Sequence, residues 1–136
     1  MAVDIKTLHI GSHVLVGGKR VRVCGITKCK IGYHHPDDRP NANLGYARIH
    51  EVEPIPITPD LLKELGFEYR KDSSCWRKYQ NYNGVRYGWV IYAYGCDGGT
   101  WCFSLYLPLI KPQLYAKCLH ELEGQLAYYG VELIKD

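Results

Sequence analysis

The sequence predicts an α+β fold: antiparallel strands, one short helix in the middle and one amphipathic helix near the end. Three observations predict it. Short strand-like runs, several of them alternating apolar and polar residues, occupy positions 8–26, 45–52 and 67–107. A full set of helix start and stop residues frames positions 58–66. Residues 112–129 repeat apolar side chains at helical spacing. At 136 residues the chain has the length of one domain. It reads as a single domain, 1–136, with a division into two subdomains left open: a small β module at 1–57 and a helix, meander and C-terminal helix at 58–136.

In the N-terminal part, Val14-Leu15-Val16 and Val21-Arg22-Val23 flank Gly17-Gly18, a pair suited to the positive φ angles of a tight hairpin. Alternation sets Arg20, Arg22 and Cys24 on one face and Val21 and Val23 on the other. Residues 34–45 are rich in turn formers and read as a loop, and residues 45–52 read as another strand. Such strands suit a small bent β-sheet or SH3-like barrel.

Thr58 is a good N-cap, Pro59 suits the first helical position, Asp60 favours the positive end of the helix dipole, and Gly66 suits a left-handed C′ residue. Leu61, Leu62 and Leu65 form the apolar stripe. In the meander that follows, Val85, Tyr87, Trp89, Ile91 and Ala93 share one face of a strand. Trp101, Phe103, Leu105 and Leu107 share one face of the next, with a glycine-rich turn between. On the helix read over 112–129, Leu114, Tyr115, Cys118, Leu119, Leu122, Leu126 and Tyr129 fall on one side. Lys117, His120, Glu121 and Glu123 fall on the other, expected to be solvated. This helix is expected to pack across the sheet of residues 67–107.

The charge is uneven. The formal net charge is +3, yet residues 1–36 carry six basic residues and a single acid, Asp4. Lys19, Arg20, Arg22, Lys28 and Lys30 are therefore candidates to contact an anionic partner, nucleic acid in particular. The six cysteines have irregular spacing, and with no apolar leader at the N-terminus they read as reduced thiols of a cytoplasmic protein. No run approaches the roughly 18 apolar residues of a membrane-spanning helix, so no membrane partner is expected.

Cys24-x4-Cys29 followed by His34 and His35 places four ligands for zinc within twelve residues. The x4 spacing sits at the edge of the usual range and no second CxxC is present, so no metal and no cofactor is expected. Cys118 and His120 would point about 200° apart on a helix and cannot form a dyad. No GxSxG, HExxH or phosphate-cradling glycine loop occurs. A small enzyme would need the polar loop at 34–43 and His50 to meet residues of the C-terminal half. Twelve tyrosines are many for this length. Arg86, Tyr92 and Tyr94 share the even face of one strand, and Tyr106 stands on the even face of its neighbour. If that face is open, these four could grip a protein partner or stack bases. If a second layer covers it, they are core tyrosines. Burial under the N-terminal module is the expectation.

Three segments taken together resemble a known group. "LHIGSHV" at 8–14 resembles an "LRIGN-V" opening, "EPIPITPDLLKELGF" at 53–67 a "-PIPLT-E-L---GF" middle, and "CLHELEGQLAYYGVEL" at 118–133 a closing "-VHQLQNL---LTG-EL" helix. These mark small uncharacterised proteins of Bacteroides-type gut bacteria and their prophages and mobile elements. The resemblance implies an intracellular α+β protein and supplies no catalytic residue. The expected function is a non-enzymatic interaction module acting through a protein partner or self-association. Nucleic-acid binding by the basic hairpin is the alternative, and a small enzyme is the weakest of the three.

Overall fold

Among the described residues, strand-forming runs, glycine turns and capped helices assemble as fifteen short elements. The computed structural model describes residues 3, 5–34, 44–82, 85–95, 97–106, 111–131 and 133–134, without the side chains of 80–89 and 97. The loop read over 34–45 (from residue 35 to 43), His35, Leu107 and the Arg86 side chain thus lie outside the described parts. The chain forms two compact units, residues 1–56 with 118–136, and residues 57–117. Among the described residues, no helix is long and apolar enough to cross a membrane.

The first unit holds an antiparallel sheet. Its strands are β1 (His13–Val16), β2 (Lys19–Ile26), β3 (Lys30–His34), β4 (Gly45–Arg48) and β5 (Val52–Glu53), in the order β4-β3-β2-β1-β5. Gly17 and Gly18 turn β1 into β2 with φ of 58° and 79°, angles that cost a side-chain-bearing residue strain. Val14, Val21, Val23, Ile31, Ala47 and Val52 point to one side and are buried with Val3 and Leu8. The expected alternation along β2 is present: Val21 and Val23 are buried, while Arg20, Arg22 and Cys24 are half-buried. A register shift between Val23 and Gly25 leaves Cys24 as a bulge. A 3-10 turn (Ile49–Glu51) leads into β5.

Helix α2 (Leu119–Ala127) belongs to this unit. The C-terminal helix read over 112–129 needs three corrections. Gln113–Ala116 is a strand, with Leu114 and Ala116 buried and Gln113 and Tyr115 exposed. The helix starts only after Cys118, its N-cap residue, whose N–H donates to the Glu121 carboxylate. Its polar side is solvated only in part: Lys117 is exposed and Glu121 half-buried, but His120 and Glu123 are buried alongside Leu119, Leu122 and Leu126. Both Glu123 oxygens bind His13 of β1, at 2.8 Å from the backbone N–H and 2.6 Å from Nδ1. The polar side therefore docks on the first sheet, where the sequence reading placed the helix on the second.

The second unit opens with α1 (Pro59–Glu64), capped by Thr58 Oγ1, which accepts from the Leu61 N–H at 3.2 Å. Gly66, at φ 92°, ends it as predicted. The second sheet has the order β10-β9-β8-β7-β6. Its strands are β6 (Glu68–Arg70), β7 (Cys75–Tyr82), β8 (Val85–Gly95), β9 (Trp101–Tyr106) and β10 (Gln113–Ala116). One face buries Trp76, Ile91, Ala93, Phe103, Leu105 and Leu114. The leucines of α1 are buried as well, Phe67 meets Phe103 edge-on, and Trp101 Nε1 donates to the Ile57 carbonyl at 3.0 Å. The described part of the expected hydrophobic wall (Ile91, Ala93, Phe103 and Leu105) is therefore real.

Candidate functional site

Burying one face of the second sheet turns alternate residues outward. Register builds that outer face row by row. Arg77, Tyr92, Ser104 and Gln113 align in one row, Tyr94, Cys102 and Tyr115 in a second, and Tyr79, Val90 and Tyr106 in a third. Tyr79 is 45% exposed, Tyr94 37%, Tyr106 42% and Tyr115 57%; Tyr92 is half-buried. The expectation that a second layer covers Tyr92, Tyr94 and Tyr106 is corrected: the face is open. The opposite face of this sheet is the buried one.

The rings are organised. Tyr92 and Tyr106 meet edge to face at 5.2 Å. The Arg77 guanidinium sits 4.7 Å from the Tyr79 ring centre, and the Lys111 ammonium 5.4 Å from that of Tyr106. Partial burial, then the neighbouring Cys75 thiol, push the Tyr94 phenol above its ordinary pKa, so this hydroxyl is neutral and can both donate and accept. The sequence reading found Tyr92, Tyr94 and Tyr106 and missed Arg77, Tyr79, Lys111 and Tyr115. Alternation through Cys75, Arg77 and Tyr79 carries the signal for two of them. Tyr115 was hidden by the helical reading of its segment.

The five basic candidates do not form one patch. Lys19 begins β2 while Lys28 and Lys30 follow its far end, about 23 Å away at strand rise. These three are exposed; Arg20 and Arg22 are half-buried and engaged in further contacts. The zinc candidates are also dispersed in character. Cys24 is half-buried in the bulge and Cys29 is exposed in the next turn. Burial pushes the Cys24 thiol up, with the Arg22 charge opposing, which disfavours the thiolate that zinc needs. Among the described residues no group of three or more His, Cys, Asp or Glu could hold a metal ion. His50 is exposed on the 3-10 turn.

A polar cluster that the sequence did not reveal lies in the first unit. Besides the His13–Glu123 pair, Thr7 Oγ1 lies 2.8 Å from His120 Nε2, and Ser12 Oγ lies 2.7 Å from His9 Nδ1. Ser12 also accepts from the His9 backbone N–H at 2.9 Å. Ser12 is fully buried, so its hydroxyl caps this turn and has no face toward a substrate. A cavity of about 110 Å³ adjoins the cluster, lined by His9, Gly11, Arg22, Glu123 and Val131 among others. Compared with protein-family models, curated proteins and solved structures, the chain matches none.

Proposed function

We propose that the chain is a non-enzymatic protein-interaction module whose working surface is the tyrosine face of the second sheet. One observation carries this reading: four tyrosines stand exposed on a sheet whose opposite face is already buried. Tyrosine gives large contact area at low entropic cost, and Ser104 and Gln113 between the rings add adaptable hydrogen bonding. Cations over Tyr79 and Tyr106, and the edge contact of Tyr92 on Tyr106, leave ring edges and hydroxyls as the presented chemistry. That suits a protein surface better than stacked bases. The strand order of the first unit, with a 3-10 turn ahead of β5, supports an SH3-like barrel there. Membership of the phage and mobile-element group that the three segments resemble would place such a module in the cytoplasm.

The test is a pull-down of the tagged chain from a Bacteroides lysate, with and without nuclease, beside the double variant Tyr92→Ala/Tyr106→Ala. The expected result is a partner set that survives nuclease and is lost with the variant while its circular dichroism is unchanged. A strictly monomeric protein that recovers no partner would overturn the reading. So would a partner set indifferent to both substitutions.

A further inference from the structure

The outer side of β3 and β4 in the first unit carries a feature that stability alone does not explain. Lys30 and Arg48 stand directly opposite each other in the β3–β4 register, and both are exposed. Like charges in cross-strand positions repel and weaken the pairing. Among the described residues neither of them, nor exposed Lys28 in the adjoining turn, has an ion pair. The carboxylate of Glu51 is engaged by the Arg48 backbone N–H. Two pairs further along the ladder, and so on the same face, Gly32 stands opposite Tyr46. The Tyr46 ring leans over that glycine, with Cε1 3.6 Å from where a Cβ would stand, and the side chain is 70% exposed. A bare strand position thus forms a floor on which an aromatic ring lies beside a repelling pair of cations.

We propose that this patch binds single-stranded nucleic acid, with Tyr46 stacking on an unpaired base and Lys28, Lys30 and Arg48 holding the flanking phosphates. An anionic backbone relieves the Lys30–Arg48 repulsion, and a ring exposed on one side needs a base that is not already stacked in a duplex. The site is independent of the tyrosine face. It replaces the broader basic hairpin of the sequence reading: Lys28 and Lys30 stay, Lys19, Arg20 and Arg22 leave, and Tyr46 and Arg48 enter.

Fluorescence anisotropy of dye-labelled ten-nucleotide oligo-U and oligo-dT with the whole chain tests it. Three phosphate contacts give a slope of about −2 in log affinity against log salt, or a fall of roughly fifteenfold between 50 and 200 mM. Tyr46→Ala should weaken binding by about tenfold, and Tyr46→Phe should retain most of it. Lys30→Ala/Arg48→Ala should flatten the salt slope. All these side chains are exposed, so the variants should fold, which circular dichroism verifies. Any of four results would overturn the proposal: no binding at 50 mM salt, equal affinity for a duplex of the same length, no effect of Tyr46→Ala, or loss of binding with Tyr106→Ala on the other sheet.

Discussion

Replacing Glu123 by alanine should loosen α2 from the first sheet, and the contacts set the size of the effect. Glu123 is 9% exposed and His13 1%. The substitution leaves the His13 backbone N–H and Nδ1 without the carboxylate that binds both. Each buried polar group left unsatisfied costs about 1–3 kcal/mol. Two such groups lost together give a loss of about 2–6 kcal/mol, a large share of the roughly 5–15 kcal/mol that holds a domain folded. Glu123→Gln keeps an acceptor for the backbone N–H and should cost about half as much. Urea unfolding by circular dichroism gives the total. Amide exchange of peptides from β1 and α2 locates it, because protection should fall there first. A cost below about 1 kcal/mol for Glu123→Ala, with exchange in α2 unchanged, would refute the reasoning.

Two further perturbations test the first unit. Burial holds His120 below the ordinary histidine value of 6.5, with Glu121 and Glu123 opposing and His9 reinforcing. The unfolded chain therefore takes up a proton below pH 6.5 that the folded chain refuses. The stability this histidine contributes is complete above pH 6.5 and is lost as pH falls through the lowered folded value. Urea midpoints for wild type and His120→Gln at pH 7.5 and pH 5 should converge on acidification, and parallel profiles would sink the argument. Separately, a Cβ on Gly45 would stand 2.5 Å from the Tyr33 ring. Gly45→Ala should cost about 1–3 kcal/mol by overpacking, and much of that should vanish in a Tyr33→Ala background, as measured by a double-mutant cycle.

Where structure depends on neighbours in sequence, it was legible. Thr58, Pro59 and Gly66 define α1 within a few residues, and Gly17-Gly18 defines the first hairpin. The segment before α2 shows the limit. Leu114, Tyr115, Cys118 and Leu119 fit one helical face, yet the same residues also fit a four-residue strand followed by a turn and a cap. Pairing of Gln113–Ala116 with β9 decides between them, and that pairing is tertiary. Glu123 looked like a solvated charge because its partner, His13, is 110 residues away. The tyrosine face was visible as a pattern, but its exposure depends on whether another layer covers it. The patch at Tyr46 was missed because its signal, a repelling cation pair beside a glycine, exists only once the β3–β4 register is known.

The chain leaves the first unit at Pro56 and returns at Cys118, and these two residues form an antiparallel bridge. On one side of the bridge the Leu119 N–H donates to the Ile55 carbonyl at 2.8 Å; on the other the Ile57 N–H donates to the Lys117 carbonyl at 2.9 Å. The second unit is thus an insertion whose ends are held together. Closure cost grows only with the logarithm of loop length, and an inserted unit with adjacent ends adds little to it. The valine core of β1–β5 draws on residues 3–52 alone, whereas the His13–Glu123 contact joins residues on either side of the whole insertion. A substitution on the tyrosine face acts on the insertion, and one at Tyr46 acts on the first unit, so the two proposed surfaces can be tested one at a time.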